Sequence, residues 1–268
     1  MDSEKEKVHD FWNDASCGEQ LYLKTRDKEG YVYHSKKRYE LEPYISDFAD
    51  FSSSKDKKVL EIGVGLGADH QEFITSGAIT YGIDLTLRSI KNTETRLKLW
   101  DLKSNLSVGD AEKLVFDDNY FDIVYSWGVI HHSPNTPQAI SEILRVLRPG
   151  GNAKIMIYHK WSMVGFMLWI RYGLLRLRPF ISLNQIYSEF LESPGTKAYS
   201  KREAFNLFKD FTEVNIRTVL THGDLLEGSA GQRQEGILIN IARKFWPRSL
   251  IRNFLSGLGL FMLIEASK

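Results

Sequence analysis

The sequence predicts an α/β fold, built on a mostly parallel β-sheet with helices on both faces. Three observations support this prediction. Short apolar runs alternate with amphipathic stretches from Lys58 to His159, a glycine-rich loop follows the first run, and the segment RPGG at 148–151 stops the last helix of this region. Strands that alternate with helices at such spacing form βαβ units with right-handed crossovers.

Seven apolar runs have the length and the polar or glycine-containing flanks of β-strands. They cover residues 59–62, 79–85, 106–108, 121–126, 153–158, 214–220 and 258–266. Apolar residues recur at helical spacing in five other stretches, so we expect helices there. One follows the glycine loop and ends near Thr75, and the others cover residues 37–51, 87–102, 137–147 and 200–211.

We expect a single domain over residues 1–268, with additions around a central core. The parts are a helical, aromatic N-terminal cap at 1–52, a core at 53–160, a hydrophobic lid insertion at 161–196, and the C-terminal part of the core at 197–268 with a second insertion at 221–257. Additions of this kind gather where ligands bind an α/β sheet, so they should select the substrate.

Composition excludes several classes of protein. The 35 Lys and Arg residues nearly balance the 34 Asp and Glu residues, whereas a nucleic-acid-binding protein usually has a clear basic excess. Cys17 is the single cysteine, so no internal disulfide can form. The N-terminus lacks an apolar signal segment, and arginines interrupt the most apolar stretch, residues 163–177. We therefore expect a soluble, cytoplasmic protein that has no transmembrane segment and binds no nucleic acid.

The segment LEIGVGLGA at 60–68 carries the main chemical signal. Glycines at a strand-to-helix turn let a ligand approach the backbone closely, but this pattern alone also fits a nicotinamide-binding loop. Three carboxylates narrow the choice. Glu61 precedes the glycines, Asp84 ends the second strand where an acid can hold ribose hydroxyls, and Asp110 ends the third strand. A nicotinamide enzyme has no need of the third carboxylate, whereas an adenosine bound at these strand ends would use it, because Asp110 can accept a hydrogen bond from the adenine amine.

The ordered segments LEIGVGLG, GIDLT, GDAEKLVF, FDIVYSWGVIHHSP and LRPGG resemble the motif set of class I S-adenosylmethionine-dependent methyltransferases. The resemblance spans about 100 residues, from Lys58 to His159. It implies a Rossmann-like sheet of seven strands whose last pair includes an antiparallel edge strand. It also implies S-adenosyl-L-methionine as cofactor and S-adenosyl-L-homocysteine as product.

The same resemblance assigns the cofactor-binding residues. Glu61 and the glycine loop would face the methionine part, Asp84 the ribose, and Leu85 the adenine ring. Asp110 and the Ala111 backbone would contact the adenine edge, and Ser126 and Trp127 would approach the methionine end. The candidate cofactor residues are Glu61, Gly63, Gly65, Gly67, Asp84, Leu85, Asp110, Ala111, Ser126 and Trp127.

Methyl transfer from an activated sulfonium needs mainly approach and orientation, and a hydroxyl acceptor also needs a base. His132, His131 and His159 follow the fourth and fifth strands, at the edge where substrate should meet the methyl group, so they are the candidate bases. The sequence shows no His, Asp or Glu spacing typical of a catalytic metal, so we expect a metal-independent reaction.

The lid insertion combines aromatic residues with Arg171, Arg176 and Arg178. This composition favours a small hydrophobic or aromatic acceptor, methylated on a hydroxyl or carboxyl oxygen and able to carry a negative charge. It also fits a homodimer contact or a weak contact with a membrane surface. The alternatives are methylation of a peptide, protein or RNA, a carbon or nitrogen acceptor, an NAD-dependent oxidoreductase, and a non-catalytic binding module.

Overall fold

The computed structural model describes residues 3–227, 243–244 and 246–268. Seven strands form one sheet in the order β3-β2-β1-β4-β5-β7-β6. Strands β1 to β5 are parallel, and β7 runs antiparallel to both β5 and β6. Their bounds are β1 Lys58–Ile62, β2 Ile79–Asp84, β3 Asn105–Val108, β4 Phe121–Trp127, β5 Leu147–Tyr158, β6 Glu213–Val219 and β7 Phe261–Ser267. The predicted fold class is confirmed.

Helices precede, connect and flank these strands. Those of the N-terminal cap are α1 Ser3–Asp14, α2 Glu19–Tyr22, α3 Lys28–Leu41 and α4 Tyr44–Ala49, with a 3-10 turn at Phe51–Ser54. The core holds α5 Ala68–Thr75, α6 Leu87–Leu99, α7 Thr136–Val146 and α10 Lys201–Leu207. The lid insertion holds α8 Met163–Tyr172, a 3-10 turn at Leu174–Arg176 and α9 Leu183–Phe190. The C-terminal region adds α11 His222–Leu225, α12 Arg248–Phe254 and a 3-10 turn at Ser256–Leu258.

Two buried hydrophobic clusters cover the two faces of the sheet. On one face Val124 packs with residues of α7 and α10, including Ile143 and Phe208. On the other face Ile123 and Tyr125 pack with residues of the N-terminal cap, α5 and the lid. Side chains alternate between the faces of a strand, so a strand buried on both faces reads as a continuous apolar run, as β4 does.

The single helix predicted at 37–51 is two helices. Helix α3 starts nine residues earlier, at Lys28, where the Asp27 side chain accepts a hydrogen bond from the Gly30 amide. It ends at Leu41, because the residue before a proline is disfavoured in helical conformation and Pro43 opens α4. Part of the second predicted insertion, including Gly228, Gly231 and Gly236, lies outside the described residues.

Within the described residues, no helix is both long and apolar enough to cross a bilayer.

Candidate active site

The carboxyl ends of the central strands open onto a cavity of about 250 Å³, which the N-terminal cap and the lid help to enclose. Nearly all of the predicted cofactor residues contribute to its wall. These are Glu61, Gly63, Gly65, Gly67, Asp84, Leu85, Asp110, Ala111 and Trp127. Ser126 is not among the lining residues; it is fully buried in β4, and its hydroxyl has no hydrogen-bond partner among the described residues.

Two glycines of the loop after β1 have different surroundings. Both have positive φ angles, +86° at Gly63 and +52° at Gly65, which disfavour any other residue. A methyl group added to Gly63 would collide with the Val129 side chain, so this glycine allows close packing. A methyl group added to Gly65 would meet no protein atom within 4 Å. The backbone at Gly65 therefore faces open space in the cavity wall, as a cofactor cradle requires.

Asp84 holds the turn at the end of β2. Its carboxylate accepts hydrogen bonds from the Thr86 amide at 3.0 Å and the Thr86 hydroxyl at 2.9 Å, and from the Gly65 amide at 3.2 Å. Burial raises the pKa of Asp84, while these hydrogen bonds act in the opposite direction. The carboxylate thus connects the glycine loop to the start of α6 and still lines the cavity.

Asp110 is in contact with the N-terminal cap. Lys5 Nζ lies 2.6 Å from a carboxylate oxygen of Asp110 and 2.6 Å from one of Glu112. The other Asp110 oxygen accepts a hydrogen bond from the Glu112 amide. The two ion pairs of Lys5 hold α1 over the end of β3. Lys5 is partly buried and also lines the cavity.

Glu61 faces a buried histidine as well as the cavity. One of its carboxylate oxygens lies 2.9 Å from His70 Nδ1, and His70 Nε2 lies 2.8 Å from the Ser104 hydroxyl. Burial raises the pKa of Glu61, against the hydrogen bond with His70. The second Glu61 oxygen is left for a ligand group or for water.

Arg38 and Asp69 form a buried, doubly hydrogen-bonded pair beside Glu61. The guanidinium donates to the two Asp69 oxygens at 2.8 and 2.6 Å, and Tyr125 donates to one of them at 2.8 Å. Burial alone would raise the pKa of Asp69, but Arg38 and the hydroxyl donors hold it below its ordinary value. Bidentate pairs of this kind fix geometry. Both residues line the cavity, and the sequence interpretation missed the pair because Arg38 stands on α3, remote from the motifs.

Glu42 continues this charged group toward the other end of the cavity. It accepts a hydrogen bond from Trp127 Nε1 at 3.1 Å and lies 3.5 Å from Arg38. Burial raises its pKa to about 7, and Arg38 and Trp127 act in the opposite direction. The Glu42 carboxyl therefore titrates near neutral pH.

His132 is the one predicted base in the cavity wall. Its Nδ1 lies 2.8 Å from the Ser193 hydroxyl and 3.1 Å from the Thr196 hydroxyl, and its Nε2 lies 3.4 Å from a Glu192 oxygen. The Trp12 ring packs edge-on against it at 5.2 Å. The segment 192–196 and Trp12 of the N-terminal cap thus orient this imidazole or contact it.

His131 and His159 lie outside the cavity lining. His159 Nδ1 is hydrogen-bonded at 3.2 Å to the carbonyl of Gly259. His131 is fully buried and packs at a tilt against Tyr158, with ring centroids 4.0 Å apart, and neither of its ring nitrogens has a partner among the described residues. Burial lowers the pKa of both histidines, that of His131 well below its ordinary value, so both rings are neutral at pH 7.

The structure brings together three groups that could ligate a metal ion. Ligand atoms of His131, His132 and Glu192 all lie within 4.8 Å of one another. Histidine nitrogens and a carboxylate are ordinary zinc ligands. The sequence interpretation missed this cluster because Glu192 follows the lid helix α9, about 60 residues beyond the histidines. The metal-independent reaction therefore stays a prediction.

The end of the cavity around His132 is aromatic. Tyr158 stacks on Phe261 at 5.9 Å, and Phe261 meets the edge of Trp127 at 5.8 Å. Cys17, which is exposed, also lines this space. The cavity thus has a polar half at the glycine loop and a largely aromatic half at His132.

Comparisons with known proteins agree with this geometry. Residues 60–155 match the family model described as a methyltransferase domain. The chain is 35% identical over 118 residues to phosphoethanolamine N-methyltransferase 2 of Caenorhabditis elegans, covering 43% of this chain and 26% of that protein. It is 38% identical over 98 residues to the phthiotriol/phenolphthiotriol dimycocerosates methyltransferase of Mycobacterium leprae, covering 36% of each. The alignments therefore span about a quarter to a third of these relatives.

A solved structure has a similar fold over nearly the whole chain. Phosphoethanolamine N-methyltransferase 2 of Haemonchus contortus, in complex with phosphomonomethylethanolamine and S-adenosylhomocysteine, superimposes with a TM-score of 0.59 at 15% identity. The superposition covers 97% of this chain and 60% of that protein.

Fold, cavity and comparisons lead to the same assignment. The seven-stranded sheet, the antiparallel β7 and the glycine loop after β1 are those that the sequence resemblance implied, but β7 lies between β5 and β6, and β6 is the edge strand. The family match covers the strands that carry the glycine loop, Asp84 and Asp110. The chain therefore contains a methyltransferase domain at residues 60–155, on the fold of the class I S-adenosylmethionine-dependent methyltransferases.

Proposed function

We propose that this chain transfers the methyl group of S-adenosylmethionine to a hydroxyl oxygen of a small organic acceptor, with His132 as the base. In this proposal the glycine loop, Asp84 and Asp110 hold the cofactor, with Glu61 and Arg38 at its methionine end. The bound cofactor supplies a methyl group already activated by a sulfonium. The observation that carries the proposal is the orientation of the His132 ring in the cavity wall.

Hydroxyl groups on one side of His132 can accept a hydrogen bond from its ring. The Thr196 hydroxyl donates its only proton to the Ser193 carbonyl at 2.7 Å, so its oxygen can accept from His132 Nδ1, while the Ser193 hydroxyl at 2.8 Å can donate to or accept from the same nitrogen. In this proposal Nδ1 carries the ring proton, which leaves an electron pair on Nε2, a nitrogen buried beside Glu192. A neutral imidazole with this tautomer can remove a proton from an acceptor hydroxyl.

Glu192 would stabilise the product of that proton transfer. When Nε2 takes the acceptor proton, the imidazolium lies 3.4 Å from the Glu192 carboxylate. Tyr158 donates a hydrogen bond to the same Glu192 oxygen at 2.6 Å, and burial raises the pKa of Tyr158, so this donor stays protonated. The carboxylate lies beside the nitrogen that takes the proton, so its role in this proposal is to balance the charge of the imidazolium.

The lining favours a neutral or cationic acceptor over an anionic one. Among the described lining residues, Lys5 is paired with Asp110 and Glu112, and Arg38 with Asp69. The lid arginines are not part of the described wall. Aromatic rings near carboxylates suit a hydrophobic or aromatic acceptor and also attract ammonium groups.

A primary or secondary amine is therefore the second candidate acceptor. The observation that favours it is the pair of carboxylates, Glu42 and Glu192, on the aromatic half of the cavity. The C. elegans relative is named as an N-methyltransferase, whereas the name of the M. leprae relative refers to lipids, so the acceptor atom differs or is unstated among relatives. Metal independence, a homodimer and a cytoplasmic location likewise stay predictions.

Steady-state kinetics with a panel of small alcohols, phenols and amines tests the proposal, with S-adenosylhomocysteine release as the readout. For a hydroxyl acceptor, His132→Ala should lower kcat by about 10²–10⁴-fold with little change in cofactor affinity. His159→Ala is the matched control, because that ring is held by a backbone carbonyl outside the cavity. Equal turnover of wild type and His132→Ala on every hydroxyl acceptor would refute the base; turnover of amines alone would favour the second candidate.

A further inference from the structure

The lid insertion carries an exposed apolar tip between α8 and α9. Residues 174–180, with the sequence LLRLRPF, are seven consecutive exposed residues between buried Gly173 and Ile181. Leu177 is 91% exposed and Phe180 is 99% exposed. Removing such apolar side chains from water is strongly favourable in free energy. A cluster of exposed apolar side chains therefore indicates a contact surface.

The tip is held in place by its own backbone and by the helices behind it. The Arg178 amide donates to the Gly173 carbonyl at 2.8 Å, and the Leu177 amide donates to the Leu174 carbonyl at 3.1 Å. Leu177 has a φ of +57°, an uncommon conformation for a leucine, which the turn imposes. Ile181 returns the chain to the buried cluster that includes α9. The exposed leucines and phenylalanine are thus presented by an ordered turn.

Positive charge accompanies these apolar residues. No Asp or Glu occurs between Trp161 and Ser188, whereas Arg171, Arg176 and Arg178 all lie in that stretch. Arg176 lies over the Tyr172 ring at 4.9 Å, and that ring stacks on Phe190 of α9 at 4.0 Å. Apolar side chains interspersed with arginines match the boundary between lipid headgroups and acyl chains, and arginines attract anionic headgroups.

We infer that residues 174–180 dock the enzyme on anionic membrane surfaces, with Leu177 and Phe180 entering the headgroup region and Arg176 and Arg178 contacting lipid phosphates. A stable dimer needs about 800 Å² from each partner, supplied by about 20–30 residues. Seven residues on a protruding turn are too few for such an interface but sufficient for shallow insertion. Glu192 directly follows α9 on the same insertion, so docking would bring the aromatic half of the cavity close to the lipid surface.

Flotation of the full chain with vesicles tests this inference, using phosphatidylcholine alone and a two-to-one mixture of phosphatidylcholine and phosphatidylglycerol. We expect binding to the mixed vesicles, weakened by high salt. The double variant Leu177→Ser with Phe180→Ser should bind at least about tenfold more weakly. Arg176→Gln with Arg178→Gln should lose the preference for anionic vesicles. Val115→Ser is the control, because Val115 is 80% exposed in the loop between β3 and β4.

Circular dichroism and calorimetry with S-adenosylmethionine would verify that each variant is folded. The inference would be overturned if the wild type did not bind anionic vesicles. It would also be overturned if the Leu177→Ser, Phe180→Ser double variant bound them as well as the wild type does. Gel filtration tests whether a second copy of this chain, instead of a membrane, covers the tip. If the wild type is a dimer that the double variant converts to a monomer, and neither binds vesicles, the tip contacts a second copy of this chain.

Discussion

Replacement of Gly65 by alanine tests whether the glycine loop holds the cofactor. The substitution adds one methyl group at a residue whose φ is +52° and whose added carbon would meet no protein atom within 4 Å. Gly150→Ala is a matched control, because Gly150 has a φ of +76°, equally open surroundings and an exposed place in β5. The two variants share backbone strain and differ only in what occupies the open space.

The expected magnitudes follow from this comparison. An alanine in left-handed conformation costs about 1–2 kcal/mol, so both variants should lose similar stability. In this size class each kcal/mol lowers Tm by about 2–4 °C. Gly65→Ala should in addition place its methyl against the cofactor. Overpacking of a tight contact costs about 1–3 kcal/mol, or about 5- to 150-fold in affinity.

Isothermal titration calorimetry with S-adenosylmethionine and S-adenosylhomocysteine measures the affinities, and thermal melts without ligand measure the stabilities. We expect weaker binding for Gly65→Ala alone. If Gly65→Ala binds both ligands like Gly150→Ala, the open space beside the loop is not the cofactor site. Gly63 is unsuitable for this experiment, because its substitution would disturb packing against Val129.

Three further measurements test the role of Asp84 in cofactor binding, the titration of Glu42 and the need for a metal ion. Asp84→Asn should weaken S-adenosylmethionine binding by about 10- to 150-fold, because the ribose hydroxyls lose a charged acceptor; calorimetry beside exposed Asp117→Asn checks this, and equal affinities would contradict it. Glu42 has a pKa raised to about 7 from an ordinary 4.5, so the folded state binds its proton more tightly than the unfolded state. Its stabilising contribution is complete below about pH 4.5 and lost as pH rises through about 7, so ligand-free protein should lose about 1–3 kcal/mol between these values. Urea unfolding across that range should show a flatter profile for Glu42→Gln, and identical slopes would refute the assignment. Chelation of metal ions by EDTA should leave turnover unchanged, because transfer of a sulfonium methyl group needs no Lewis acid. The opposite result would be that EDTA stops turnover, that one divalent metal restores it in the wild type, and that this metal does not restore it in His131→Ala. That result would show that the histidine cluster holds an ion.

The seven strands and the glycine loop could be predicted because their signals are local. A strand buried on both faces is continuously apolar, and a glycine loop between strand and helix is visible within ten residues. Asp84 and Asp110 stand at strand ends, so parallel pairing alone brings them to one edge of the sheet. The bounds of α3 were harder to predict, since burial of Tyr31 against the α6 backbone, rather than periodicity, fixes where the helix lies.

The residues around the cofactor motifs could not be predicted, because they come from segments whose positions depend on packing. Lys5 meets Asp110 across 105 positions of sequence, and Glu192 reaches His132 only through the fold of the lid. His131 and His132 are adjacent in sequence, yet one ring is buried behind Tyr158 and the other lines the cavity. The sequence by itself determined the sheet, the glycine loop and its acids, because local patterns encode burial. Only the tertiary structure decided which histidine lines the cavity and which charges surround it, because those contacts depend on how the N-terminal cap and the lid pack against the sheet.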